Sequence, residues 1–154
     1  VPRDFVRGTE PGVLTIGGVV VGDAICFEVA YDDVFTSVIA GGAEMITVQT
    51  NNATYQGTGQ PVQQWDIERL RALNTGRAVI VASTSGISGF IAPDGTVQRQ
   101  LGEGETGYLV SEVPLSTSRT PASLLGATPE IAAGVAMLIG VGLAIYVRRR
   151  RTGS

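Results

Sequence analysis

The sequence predicts an α/β layered domain followed by one membrane-spanning helix. Three observations carry that expectation. Strand-like and helical stretches alternate through the first half, then give way to consecutive strands separated by turn residues. Ile131 to Val147 (IAAGVAMLIGVGLAIYV) run for seventeen positions without a charge. Arg148 to Arg151 follow that run directly, a placement that fixes membrane topology and has no purpose behind a buried core helix.

The elements follow in chain order. Val13 to Ile16 and Val19 to Val21 flank Gly17-Gly18, a two-residue hairpin signal, and the second strand continues towards Cys26. Asp32 and Asp33 open a helix to about Ala40, their charges suiting its N-terminus, and Gly41-Gly42 closes it. Glu44 to Thr50 is an apolar strand that ends in Asn51-Asn52-Ala53-Thr54-Tyr55. Pro61 begins a helix in which Val62, Trp65, Leu70 and Leu73 share much of one face, with Asp66, Glu68, Arg69 and Arg71 largely outward and Gly76 as the stop. Ala78 to Ser83, Ile87 to Ala92 and Thr96 to Leu101 are three more strands, the last two joined by the turn Pro93-Asp94-Gly95. Gly107 to Val113 is expected to be a further strand, so the later part of the sheet is antiparallel.

The apolar run covers roughly 25 Å as a helix, the short end of what spans a bilayer, with Tyr146 at an interface. The positive-inside rule puts the four arginines in the cytoplasm and the body on the other side. The expected organisation is therefore an extracytoplasmic domain over residues 1–128, a transmembrane helix over 129–147 and a basic cytoplasmic tail over 148–154. Ala132, Ala136, Gly140 and Ala144 form a small-residue stripe suited to close helix packing. An extracytoplasmic body that opens on Val1-Pro2-Arg3 is expected to be a piece of something longer.

Fourteen acidic residues stand against eleven arginines, four of them in the tail. That acidic body argues against nucleic acid as a partner. Cys26 is the only cysteine, which excludes an internal disulfide and matches no zinc pattern. It is either a small buried hydrophobe or a reactive thiol. The chain has no histidine and no lysine, so neither a Cys-His pair nor a Ser-His-Asp triad can be assembled from it. A nucleophilic Cys26 needs a carboxylate base. Glu28 lies two residues on, with pairing to Arg69 or Arg77 as its structural alternative. Cys26 and Asn51-Asn52 both stand at strand ends, where reactive groups of α/β folds collect. Asn51 and Asn52 equally suit a simple strand cap, and Trp65 and Tyr55 suit packing.

Ile25-Cys26-Phe27-Glu28, Thr50-Asn51-Asn52-Ala53, Arg69-Leu70-Arg71-Ala72-Leu73, Ser83-Thr84-Ser85-Gly86-Ile87-Ser88 and Ala92-Pro93-Asp94-Gly95 stand in an order and spacing that resembles the C-terminal half of apolipoprotein N-acyltransferases. The wording around Cys26 and Asn51 is more similar to the actinobacterial branch than to the proteobacterial one. The resemblance implies the C-terminal half of a nitrilase-like α-β-β-α sandwich, followed by the single transmembrane helix, in a bacterial plasma membrane.

It also implies a ping-pong acyl transfer without cofactor or metal. A cysteine takes a fatty acyl group from membrane phospholipid as a thioester and passes it to the N-terminal diacylglyceryl-cysteine of a lipoprotein. Carried onto this sequence, Cys26 is the nucleophile, the backbone N–H of Phe27 an oxyanion donor and Glu28 a supporting carboxylate. Asn51, Asn52, Thr54 and Tyr55 lie on the substrate-binding loop. Two departures stand out: Thr54 replaces a tryptophan of many members, and Gln60 to Gln64 lacks a histidine found in some. The family's catalytic glutamate and lysine lie upstream of the region covered, so this chain is expected to be inactive alone and completed by an upstream part of the same protein or by a complementing chain. The alternatives are a nitrilase-type amidase, or a degenerate membrane-anchored domain without catalysis.

Overall fold

The computed structural model describes residues 8–152, so Val1 to Arg7 of the expected domain and Gly153-Ser154 of the tail lie outside the described residues. The chain divides into two units, residues 1–123 and 124–154.

In the first unit six strands form one sheet in sequential order. β1 (Val13–Ile16) and β2 (Val19–Ile25) are antiparallel. Gly17 and Gly18 between them have φ of +59° and +87°, the left-handed pair that a tight hairpin of matching twist needs. β2 is parallel to β3 (Met45–Thr50), and β3 to β4 (Val79–Ser83). Helices α1 (Asp32–Ala40) and α2 (Gln60–Thr75) make the two crossovers. β5 (Ser88–Ile91) and β6 (Val97–Leu101) complete the sheet in antiparallel fashion.

Both helices cover the same sheet face. Ala24, Ile46, Val48, Val79, Val81 and Ile91 project from it into a core shared with Phe35, Val38, Ile39, Trp65 and Ala72. Approach is close: a Cβ at Gly22 would stand 3.0 Å from Val38 and Ala43, and one at Gly89 would stand 2.9 Å from the Trp65 ring. On the other face Leu14, Ile16 and Ile25 are exposed. One helical layer on one sheet is the layered α/β arrangement the sequence predicts and half of the α-β-β-α sandwich that the resemblance implies.

Two expectations are corrected. Gly107 to Val113 forms no strand. Its side chains alternate in exposure, but no ladder pairs it among the described residues, so the period-2 pattern marks only an extended segment lying on the domain. The segment is tied down further on, where Ser116 N–H donates to the Glu44 carbonyl at 3.1 Å. Arg77, 2% exposed, donates to the carbonyls of Ala43 and Ser118.

The second correction concerns α2. Val62, Leu70 and Leu73 are each 51% exposed, whereas Glu68 and Arg71 are buried with Trp65. The inward stripe is Pro61, Gln64, Trp65, Glu68, Arg71, Ala72 and Thr75. It has helical spacing, but it is polar in the middle, so an apolar count selects the wrong face.

α3 (Pro121–Leu125) is a short helix whose Ser123 N–H is capped by Thr120 Oγ1 at 3.0 Å. In the second unit α4 (Thr128–Thr152) is one helix long and apolar enough to cross a membrane. It extends through the arginines, with the Arg150 guanidinium 4.7 Å from the centre of the Tyr146 ring.

Candidate active site

β2 runs straight into a 3-10 turn over Cys26–Ala30. The switch falls where the β1 ladder ends: Asp23 N–H still reaches the Gly12 carbonyl at 2.7 Å, but Ile25 N–H on the same edge has no strand beside it. The Glu28 carboxylate replaces that strand, accepting from Ile25 N–H at 2.7 Å. Val29, fully buried, pins the turn to the core, and Tyr31 N–H closes it on the Glu28 carbonyl at 3.0 Å.

This clasp holds Cys26 at φ +54°, the one positive φ outside glycine among the described residues. A left-handed L-residue costs roughly 1–2 kcal/mol, and such strain persists where the surroundings impose it. The thiol is half-buried. Phe27, second in the turn, has a backbone N–H without an intrahelical acceptor. Its ring meets that of Tyr31 edge-on at 6.2 Å, and the exposed side chains of Ile25, Phe27 and Tyr31 surround the turn with apolar surface.

The strain is measurable. Cys26→Gly is expected to be at least as stable as Cys26→Ala in denaturant unfolding, inverting the usual penalty of about 0.5–1 kcal/mol for glycine. A Gly variant clearly less stable than Ala would place Cys26 in an unstrained conformation.

Arg71 braces the turn from behind. Its Nε donates to the Val29 carbonyl at 2.7 Å, and its terminal nitrogen pairs with Asp32 at the start of α1. The guanidinium also lies 4.9 Å from the centre of the Phe35 ring. Glu28 is therefore a cap of the cysteine turn rather than an arginine partner. Arg69 instead bonds Asp66 at 3.3 Å and the Gly95 carbonyl at 3.1 Å.

Strand register brings the remaining candidates to the same rim. Ile25 is paired with Gln49 and Gln49 with Ala82, so Cys26, Asn51 and Thr84 leave the sheet at neighbouring strand ends. Asn51 is exposed, and its Oδ1 accepts from Ala53 N–H at 3.1 Å and Ser85 Oγ at 3.3 Å. Thr54 and Tyr55 are exposed on the short turn that follows. Asn52 points the other way, 4% exposed, into a polar network with Thr50, Ser83 and Gln64. Gln64 connects it to Glu68, whose carboxyl is raised from 4.5 to about 7 by burial, with the Gln64 hydrogen bond pulling the other way. Glu68 and Gln64 went unrecognised in the sequence; the signal was there in the spacing of Pro61, Gln64, Trp65, Glu68, Ala72 and Thr75.

The family model for carbon-nitrogen hydrolases matches residues 4–121. The chain belongs to the carbon-nitrogen hydrolase family. Among relatives of this carbon-nitrogen hydrolase, the apolipoprotein N-acyltransferase of Mycolicibacterium smegmatis is 37% identical over 138 residues, covering 88% of this chain and 23% of the relative. The one from Shewanella oneidensis is 28% identical over 150 residues, 96% of this chain and 28% of the relative. The chain thus spans about a quarter of the length of these relatives. Solved structures share the fold: an amidase from Nesterenkonia sp. superposes with a TM-score of 0.55 at 25% identity, covering 66% of this chain and 41% of the amidase. Saccharomyces cerevisiae Nit3, a nitrilase-superfamily member, gives 0.55 at 20% identity, covering 66% and 40%.

Proposed function

We propose that this domain is the nucleophile-bearing part of an apolipoprotein N-acyltransferase. The observation that carries the reading is Cys26 itself, a half-buried thiol held at positive φ on a strand-end turn, in a chain 37% identical to an enzyme of that name. In the first half-reaction the Cys26 thiolate attacks an acyl ester carbonyl of a membrane phospholipid. The C–O bond breaks, the departing lysophospholipid oxygen takes up the proton that the general base had removed from the thiol, and Cys26 carries the acyl group as a thioester. In the second, the α-amine of a lipoprotein's diacylglyceryl-cysteine attacks that carbonyl, forms the amide and returns the thiol.

The Phe27 N–H supports the oxyanion in both steps, a contribution typically of about 10²–10³ in rate. Glu28 acts as the supporting carboxylate by holding the turn. The loop carrying Asn51, Asn52, Thr54 and Tyr55 borders the substrate. The proton-transferring glutamate and an oxyanion lysine come from outside these residues, which contain no lysine. Residues 1–128 form the extracytoplasmic domain, 129–147 the transmembrane helix and 148–154 the cytoplasmic tail. A membrane span that follows this domain in the chain would tether it to the bilayer in which both lipid substrates reside. That tether favours transfer over the release to water expected of a soluble amidase.

The test is mass spectrometry of the native membrane-extracted protein after incubation with phospholipid vesicles. A Cys26 peptide heavier by one fatty acyl group, and discharged by a diacylglyceryl-peptide amine faster than by water, is the expected result. Discharge indifferent to the amine would favour the amidase. No adduct at all would favour a degenerate domain.

A further inference from the structure

We infer that Glu68 is a positioning residue for the cysteine-bearing rim: a hydrogen-bond chain that starts at its carboxyl group fixes which way the Asn52 amide points, and with it the loop that leaves β3 beside Cys26. The inference rests on Cys26 being the nucleophile of the acyl transfer proposed above.

The chain lies inside the domain. Glu68, 1% exposed, accepts from Gln64 Nε2 at 2.9 Å. Gln64 Oε1 in turn accepts from Asn52 Nδ2 at 3.0 Å. Asn52 Oδ1 then accepts from the hydroxyls of Thr50 and Ser83, each at 3.2 Å. A carboxamide has one donating and one accepting end, so each link dictates the polarity of the next. The far end agrees with the near one. Ser83 Oγ already accepts from Gly86 N–H at 2.6 Å and Ser85 N–H at 3.4 Å, which leaves its own hydrogen to give to Asn52 Oδ1.

The fit admits little else. A Cβ at Gly86 would stand 2.5 Å from Asn52 Oδ1 and 2.8 Å from Ser83 Oγ, so the space beside the amide is closed. Asn51, the next residue towards solvent, is anchored by Ala53 N–H and Ser85 Oγ, and the Asn52 amide fixes the peptide from which it projects. Glu68 therefore acts on the rim through Asn52, at second hand.

Glu68 is also the member of the chain whose bonding changes with protonation. As a carboxylate it only accepts, and the charge-assisted bond to Gln64 is roughly twice as strong as a neutral one. As an acid it can donate as well, and its hold on the direction of Gln64 weakens. Burial places that change near neutrality, at about 7. The charged groups on neighbouring elements are engaged elsewhere: Arg71 and Asp32 with each other, Arg69 with Asp66, Glu28 with Ile25 N–H, Asp33 with Val34 N–H and Asp94 with Thr96.

The experiment is a double-mutant cycle on the native membrane-extracted protein. It measures acyl transfer from phosphatidylethanolamine–phosphatidylglycerol vesicles to a diacylglyceryl peptide. Glu68→Leu and Asn52→Ala are each expected to lower kcat/KM by about tenfold or more, and the double variant to be about as slow as the slower single, because both cut one chain. Glu68→Gln, neutral at every pH and able to donate as well as accept, mimics the protonated acid; it is expected to show throughout the lower rate that the wild type shows below about pH 7, and to lose the inflection there. It serves as the folded control if Glu68→Leu does not assemble. Losses that multiply in the double variant, or an inflection that survives in Glu68→Gln, would overturn the positioning role while leaving acyl transfer intact. A wild-type protein without amine-dependent transfer would instead overturn the functional reading, and this inference with it.

Discussion

Arg71→Met is expected to destabilise the domain by roughly 2–4 kcal/mol and to loosen the cysteine turn. Methionine fills much of the same volume, so little cavity is created. What is lost is the donor to the Val29 carbonyl, on a residue with no exposed surface at all, and the cation over Phe35. An unpaired buried carbonyl costs about 1–3 kcal/mol, and the cation–π contact adds about 0.5–1 kcal/mol. Asp32 contributes little to the loss, because its side chain is 87% exposed and recovers water when the arginine goes. Arg71→Lys should fall between, since one ammonium cannot serve the Val29 carbonyl and the Asp32 carboxylate with the guanidinium's fork geometry. Denaturant unfolding gives the stability, and hydrogen exchange at Tyr31 N–H, which closes the turn, gives its local opening. A loss under about 1 kcal/mol with unchanged exchange would mean that the turn holds itself.

Much of the fold was legible because its signals are local. Gly17-Gly18, Asp32-Asp33, Gly41-Gly42, Pro61, Gly76 and Pro93-Asp94-Gly95 each impose a turn, start or stop through their own backbone preferences. The elements they bound are where the sequence places them. Cys26 was legible as a strand-end thiol, but not its positive φ, which comes from a ladder that ends at β1 and a carboxylate that folds back to replace it. Gly107 to Val113 failed for a related reason: alternation reports which side of a segment is covered, not whether a neighbouring strand exists to pair with it.

The inward face of α2 was the larger miss. Hydrophobicity pointed to Val62, Leu70 and Leu73, yet burial went to Gln64, Glu68 and Arg71. The partners of Gln64 and Arg71, at Asn52, Val29 and Asp32, lie 12 to 42 residues away, and Glu68 is tied to Asn52 through Gln64. A polar side chain goes inside only when the fold supplies its partner, and nothing within one helix states that the partner exists. The buried polar groups are thus the part of the site that required three dimensions.

Glu68 should therefore leave its mark on stability as well as on the rim, and the sign can be worked out. Its carboxyl titrates near 4.5 in the unfolded chain and near 7 in the folded one. Below 4.5 both states hold the proton and the group is neutral in the balance. Between 4.5 and 7 the unfolded state releases its proton while the folded state keeps it, so stability falls as pH rises. Above 7 both are ionised and the penalty is constant, on the order of 3 kcal/mol from a raised pKa at about 1.4 kcal/mol per unit. Glu68→Gln has no such proton to lose and can still accept from Gln64. The difference in unfolding free energy between Glu68→Gln and wild type should consequently swing in the variant's favour by roughly 3 kcal/mol between pH 4.5 and pH 8. The other carboxylates titrate in both proteins and cancel in that difference. Denaturant unfolding at several pH values measures it, and a difference flat across the range would mean that Glu68 is solvated in the native state and that the buried chain to Asn52 does not begin there.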